Sequence, residues 1–413
     1  MANWRIKLSI FINYFVFAIL LNSVGTVILQ VQNNFGVSES SASVLEAFKD
    51  LSIAITSFLI ASFITRIGYK RSMLIALGFI AIVCLAMPVI PTFWMTKLLF
   101  AAVGVSFALI KVSVFATLGI VTANKKEHVS LMNFLESFFM IGVLSGYFIF
   151  TIFVDDSNPK STSWLTVYYV LAAMSAMAFL LLLTTPLDES GVARDETKNM
   201  LEEFSSMIRL VWKPMVLLFV ISAFLYVLIE QGIMSWLPTF NSRILNLPTS
   251  LSIQMASILA ASTAIGRFAA GFVLRRVPWF FVLSICLVLA ALLVLFSIPL
   301  ASNASVEGVT GWADAPIAAY VFPLIGLCLA PIYPAINSVI LSALPVEKHA
   351  PMSGLIVVFS ALGGTTGSIL TGNLFEMVGG QQAFYLSLVP ITIILVVLYF
   401  FKKETDKLEP TAG

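Results

Sequence analysis

The chain has 413 residues, 59% of them hydrophobic and 11% charged, with a formal net charge of +2. Soluble globular proteins carry about a quarter charged residues, and at a mean hydropathy of +1.00 no soluble domain of this length hides so much apolar surface, so the class is polytopic membrane protein. The small net charge gives no reason to expect a nucleic-acid partner. Cys84, Cys286 and Cys328 each lie in an apolar run at spacings that match no zinc pattern, so they read as buried small hydrophobes with neither metal nor cofactor implied.

In chain order, "MANWRIK" leads into a long apolar run without a small-residue cleavage site, which reads as a retained first span rather than a signal peptide. With about 20 apolar residues needed per crossing, twelve spans are predicted. They run over 8–32, 39–65, 72–91, 94–122, 129–154, 163–185, 213–239, 247–274, 278–301, 314–344, 350–377 and 382–402. Glycine, proline and polar clusters such as "NNFGVSES" and "DDSNPKSTS" punctuate them. Lys and Arg gather in alternate short loops: Arg5 and Lys7; Arg66, Lys70 and Arg71; Lys125 and Lys126; Arg275 and Arg276; Lys348; Lys402 and Lys403. By the positive-inside rule these loops and both termini are cytoplasmic. The charged stretch after the sixth span separates an N-terminal six-helix bundle (1–185) from a C-terminal one (213–402), with 186–212 as a cytoplasmic linker and 403–413 as a tail. Within the linker, Leu201 to Leu210 could form an amphipathic surface helix.

The halves resemble each other at offsets of about 210–222 residues. "ASFITRIGYKR" from Ala61 aligns with "GFVLRRVPWFF" from Gly271, and "VGVSFALIKVSVF" from Val103 with "IGLCLAPIYPAIN" from Ile325. A GxxxG recurs in the fifth span of each half, at Gly142/Gly146 and Gly363/Gly367, a pattern that lets helices approach closely in lipid. Two six-helix repeats around a central loop are a transporter architecture with its site at the repeat interface.

A charge in hydrocarbon costs about 2.5–3.5 kcal/mol on the insertion scale, so ionisable residues mark helices that face protein or water. Spans three, six, nine and twelve hold none inside the span, Lys402 marking the cytoplasmic end of the twelfth, which assigns them to lipid. The others carry Glu46, Lys49 and Asp50, then Lys111, Glu136, Glu230 and Arg267, while the first span carries Asn13, Asn22, Gln30 and Gln32. These ions are expected to converge on one wet crevice between the halves.

Glu46, Lys49 and Asp50 share a helix face. Either they form a structural ion pair, or the second acid is a proton acceptor in reserve; with Glu136, Glu46 and Asp50 are the proton-coupling candidates. Lys49 and Lys111 are their charge partners, and Lys111 is alternatively a handle for the solute. "YVLIEQGIMSWLP" places Gly232 and Pro238 after Glu230, which reads as a discontinuous seventh span, with "APIYPAINS" in the tenth as its partner. Candidate solute contacts are Asn22, Lys111, Glu230, Gln231, Trp236, Tyr333 and Asn337. Arg66, Arg71, Arg267, Arg275 and Arg276 form a candidate cytoplasmic latch. His128 and His349 fall at loop edges, "NAS" at 303–305 fits a glycosylation site, and no HExxH, P-loop or nucleophile elbow occurs, so no enzyme is expected.

These features resemble the major facilitator superfamily over essentially the whole chain. "ASFITRIGYKR" resembles its loop-2/3 signature, with Thr65 at the usual acid's position. "YVLIEQGIMSWLPTF" (226–240) and "GLCLAPIYPAINSVI" (326–340) look like the seventh and tenth helices of the fucose:proton symporter group, whose nearest branch is similar to the short TsgA-type permeases. The resemblance implies an all-α fold of two pseudo-symmetric six-helix bundles and a proton-driven carrier of sugar-like solutes working by alternating access. Short loops and the lack of targeting extensions suggest a bacterial inner membrane, and a monomer is expected. The group's sugar carriers use acids on the first and fourth helices. Here Lys111 stands at the latter and the former has none, so coupling falls to Glu46, Asp50 or Glu136. "GVLSGYF" lacks the proline of drug:proton antiporters. Import by symport is the first expectation; an exporter of the same fold and a transport-incompetent sensor are the alternatives.

Overall fold

A computed structural model describes residues 2–61, 64–122, 125–187, 189, 205, 208–302, 309–345 and 348–407, and the regular structure among them is wholly helical. Helices α1 (Ala2–Asn22) and α2 (Val24–Phe35) occupy the first predicted span, α3 (Glu39–Ala61) and the short α4 (Ile64–Ile67) the second. Then come α5 (Tyr69–Val89), α6 (Phe93–Val121), α7 (Lys125–Thr151) and α8 (Val167–Thr184). The second half holds α9 (Pro214–Arg243), α10 (Thr249–Val273) and α11 (Trp279–Ser302). Its tenth span comprises α12 (Ile317–Val321), α13 (Ile325–Leu329) and α14 (Ile332–Ser342), followed by α15 (His349–Val378), α16 (Gly380–Tyr385) and α17 (Leu388–Asp406). The linker helix expected near 201–210 and the glycosylation pattern at 303–305 lie largely or wholly outside the described residues, as do the side chains of Arg66, His128 and His349.

Among the described residues eleven helical stretches are long and apolar enough to cross a membrane, against twelve predicted spans. The difference is α3. Its 23 residues reach about 35 Å at 1.5 Å per residue, but every stretch of spanning length within it contains Glu46, Lys49 and Asp50.

The chain divides into two compact units. The first comprises Met1–Val37 and Val44–Lys198, the second Ser38–Ser43 and Asn199–Gly413. Glycine sets the closest helix contacts inside each. In the first unit α7 lies along α1, where a Cβ on Gly142 would come within 2.7 Å of Ala18 Cβ and 2.9 Å of the Phe15 carbonyl oxygen. In the second unit Gly363 and Gly367 of α15 lie against the carbonyl oxygens of Phe224 and Leu228 in α9. The two GxxxG motifs therefore join the first and fifth spans of their own halves.

A second contact also repeats. Gly104 of α6 admits the Lys49 carbonyl of α3, and Gly326 of α13 lies so that a Cβ would be 2.7 Å from the Leu259 carbonyl of α10. The weak sequence repeat is thus a repeat of backbone contacts.

The ion-free spans carry long exposed apolar faces. Ile75, Phe79 and Ile82 line α5, and Met177 and Leu180 line α8. Phe281, Ile285 and Phe296 do so on α11, and Val389, Val396 and Tyr399 on α17. Such surfaces suit acyl chains, which accept apolar groups and no unpaired polar ones.

Two elements depart from the sequence reading. The seventh span is not discontinuous: α9 runs unbroken for 30 residues through Pro238. Gly232 serves close packing instead, since a Cβ there would lie 2.7 Å from Thr371 Oγ1. Trp236 Nε1 also donates to the Ser368 carbonyl at 3.1 Å, so α15 braces the stretch. The interruption falls in the tenth span, where Pro323 sits in a 3₁₀ turn and Pro331 precedes α14. Proline removes a backbone donor and clashes with the preceding turn. The first span breaks too, at Ser23, whose hydroxyl donates to the Leu20 carbonyl at 2.8 Å.

The N-terminus of α5 is capped from a distance. The Glu189 carboxylate accepts the N–H groups of Tyr69 at 3.0 Å and Lys70 at 2.7 Å, an acid at the positive end of a helix dipole. Gly68 makes the turn at φ +92°, a conformation open to glycine.

Candidate functional site

The α3 ions form one buried cluster in the first unit. Lys49 Nζ bonds Glu46 Oε1 and lies 3.4 Å from Asp50 Oδ1. Glu46 is fully buried, Lys49 nearly so, and the Asp50 side chain is 12% exposed. Two carboxylates share one ammonium, and Gly104 lets α6 press against the α3 backbone at Lys49. The charged residues of α6, Lys97 and Lys111, each lie two turns from that crossing.

Lys111 belongs to another group. Its electrostatic partner is Glu136 of α7, where the sequence had offered an α3 acid; Lys49 already serves both acids there. Both Lys111 and Glu136 are exposed near the middle of their helices. Such charges cannot face acyl chains without a cost of about 2.5–3.5 kcal/mol each, so this side of the first unit opens onto water.

The pair is set among aromatic rings. Lys111 Nζ lies 5.9 Å from the Phe107 ring centroid, a cation–π approach. Tyr14, also within the field of Glu136, packs on Phe107, Phe115 and Phe139 with centroids 6.2, 6.2 and 5.2 Å away. Sequence reasoning missed these rings. The signal was present on α6, where Phe107, Lys111 and Phe115 follow at intervals of four and share one face.

The second unit holds a third group. Tyr226 Oη donates to Glu230 Oε1 at 2.7 Å, and Arg267 Nη2 lies 3.6 Å from the same oxygen. Tyr226 stacks on Tyr333 at 5.6 Å with 19° between the planes, and the Tyr333 and Ser360 hydroxyls are 2.7 Å apart. Tyr226 and Ser360 were absent from the sequence-based set. The Arg267 and Glu230 side chains are 45% and 22% exposed. An ion pair so placed contributes only about 0–1 kcal/mol to stability, so the arrangement needs another reason.

Arg267 was grouped with Arg275 and Arg276; here it joins Glu230, because its side chain reaches across to α9, while Arg275, Arg276 and Arg71 stay exposed. Trp236 is wholly buried. Asn22 is half-buried and donates to the Ala18 carbonyl at 2.9 Å. Gln231 is half-buried, and Asn337 keeps a buried Oδ1 without a hydrogen-bond partner. Within the units these residues fall into three groups: two in the first unit and one in the second. Among the described residues no cluster of His, Cys, Asp and Glu could hold a metal.

The Major Facilitator Superfamily model matches residues 9–313 and 309–413. A TsgA homolog of Buchnera aphidicola subsp. Acyrthosiphon pisum is 23% identical over 64% of this chain, which spans 65% of that relative's length. Among solved structures, a bacterial homolog of the human lysosomal transporter Spinster, inward-facing and unoccupied, has a TM-score of 0.79 at 12% identity, covering 100% of this chain and 99% of that one. The nucleoside transporter NupG has a TM-score of 0.73 at 17% identity (96% and 98% covered), and FucP in its outward conformation 0.61 at 14% (97% and 99% covered). These structures share the fold, and with the model match over nearly the whole sequence the chain belongs to the Major Facilitator Superfamily.

Proposed function

We propose that this protein is a secondary active transporter that carries a small polar organic solute, sugar-like in class, across a bacterial inner membrane by alternating access and in symport with protons. It works as a monomer with both termini cytoplasmic, its halves at 1–185 and 213–402 joined by the linker 186–212. The names of similar folds support carriage of polar solutes: a nucleoside transporter, a D-xylose–proton symporter and FucP.

One observation carries the coupling: within the buried α3 cluster two carboxylates face one ammonium. An excess carboxylate held out of water can take up a proton as the solute binds and release it on the other side. Glu136 is the alternative carrier, and Lys111, Glu230, Gln231 and Asn337 are the solute contacts, with the exposed arginines 71, 275 and 276 as a cytoplasmic latch.

The test is reconstitution in vesicles with a pH-sensitive dye inside and an imposed pH gradient. A solute-dependent proton flux that disappears in Asp50→Asn or Glu46→Gln supports the assignment. Flux of parental size in both variants removes the α3 cluster from the coupling step, and an inward gradient that drives solute outward identifies an exporter.

A further inference from the structure

The transport reading takes its sugar-like solute class from similar folds, and the aromatic-walled charges of the first unit argue for another class. Three observations bear on this. First, Lys111 lies within the field of Glu136, their helices α6 and α7 are in contact, and both residues are exposed, so a molecule bound on this face meets an ammonium and a carboxylate from neighbouring helices. Second, the surroundings are rings: Phe115 and Phe139 are half-buried, with Tyr14 and Phe107 buried beneath them. Third, Asn13 and Ser113 on the same helices are wholly buried, so they offer no amide or hydroxyl to a solute on this face; Ser137, next to Glu136, is the exposed hydroxyl nearby.

A polyhydroxylated ring needs several neutral donors and acceptors, and among the described side chains here it would find few. A neutral ligand would also take water from a lysine and a glutamate while leaving each only the other's field in exchange, and charges taken out of water are costly. A zwitterion brings a carboxylate for Lys111 and an ammonium for Glu136, so every charge keeps a partner while water leaves. An aromatic side chain on that zwitterion then finds flat rings, and offset aromatic pairs contribute about 0.5–1.5 kcal/mol beyond area burial.

We propose that the Lys111–Glu136 site of the first unit binds an aromatic zwitterion of the amino-acid type, its carboxylate at Lys111, its ammonium at Glu136 and its ring against Phe115 and Phe139. The inference rests on the transporter reading for its biological sense and departs from the sugar-like class named there. Glu230 and Arg267 in the second unit are not needed for it.

Equilibrium binding to the full-length protein in nanodiscs tests it, with labelled L-phenylalanine as probe and N-acetyl-phenylalaninamide, uridine and L-fucose as competitors. Saturable phenylalanine binding is expected, with the uncharged amide, uridine and fucose competing at least tenfold more weakly. Lys111→Met and Glu136→Gln should each weaken phenylalanine binding tenfold or more, and the reversed pair Lys111→Glu with Glu136→Lys should recover part of it. Recovery separates charge recognition from loss of folding. Absence of phenylalanine binding, equal competition by the amide, or binding unchanged in both single variants overturns the proposal. Phenylalanine binding without proton flux in vesicles would instead remove only the coupling, and fucose-driven flux without phenylalanine binding would remove only this site's assignment.

Discussion

Replacing Lys49 by methionine separates two accounts of the α3 cluster by sign and size. Methionine fills similar volume but removes the ammonium that pairs with both Glu46 and Asp50. With Glu46 fully buried and Asp50 12% exposed, neither carboxylate regains its water. Breaking a buried pair by removing one partner costs about 3–5 kcal/mol. At about 2–4 °C per kcal/mol for units of this size, the apparent Tm of the detergent-solubilised protein should fall by roughly 6–20 °C. Asp50→Asn should behave differently. It leaves Glu46 and Lys49 as a matched pair and changes a carboxylate that keeps some exposure, so its Tm should stay within about 2–4 °C of the parent, a loss of about 1 kcal/mol. Differential scanning fluorimetry of parent, Lys49→Met, Asp50→Asn and the triple Glu46→Gln, Lys49→Met, Asp50→Asn gives the comparison. The triple variant should recover much of the loss, since an uncharged cluster has no buried ion to compensate. A Lys49→Met protein that melts with the parent, or an Asp50→Asn protein that melts far below it, would refute the charge count on which the coupling proposal stands.

Four further outcomes follow from contacts elsewhere. Gly142→Leu should destabilise the first unit by about 1–3 kcal/mol through overpacking, because even a Cβ would sit 2.7 Å from Ala18; a thermal melt equal to the parent's would show that α1 and α7 can separate without cost. Glu189→Ala should lower stability by about 0.5–2 kcal/mol by uncapping α5, and Gly68→Ala should do likewise, as its Cβ would stand 2.8 Å from the Glu189 carboxylate; a stable Gly68→Ala protein would disprove the cap. Glu230→Gln should weaken solute binding more than proton uptake, and equal affinity in mutant and parent would take Glu230 out of the solute site. The Asp155 carboxylate, outside the spans, is held below the usual carboxylate range by the Ser157 hydroxyl and the N–H groups of Ser157 and Asn158. Since its folded value lies below the unfolded value of about 3.9, the stability it lends its turn is present above that pH and lost as the pH falls through the depressed value. Ser157→Ala should move the Asp155 titration upward in a site-labelled NMR experiment, and an unmoved midpoint would exclude the hydroxyl as the cause.

The membrane class, eleven of the twelve predicted spans, the ion-free third, sixth, ninth and twelfth members and the two glycine seams were legible in one dimension. Each depends on a property that adds up along the chain: about 20 apolar residues to cross a bilayer, no unpaired ion against lipid, or a small residue every fourth position where helices touch. Even α3, which fails on apolar composition, announced its buried triad through spacing alone, since residues 46, 49 and 50 share a face of any helix.

Partner choice was not legible in that way. Arg267 took Glu230 because the helices bring those atoms close, and Lys111 feels Glu136 of another helix; a Coulomb interaction depends on distance in space, which no spacing within α6 or α10 encodes. Gly232 and Pro238 looked like a break in the seventh span, yet the packing of α15 against α9 kept that helix whole and left the interruption to the tenth. The rings around Lys111 come from three helices, α1, α6 and α7, so only their assembly turns scattered phenylalanines into a wall. Local composition settles which segments leave water; the fold settles which polar groups then face each other.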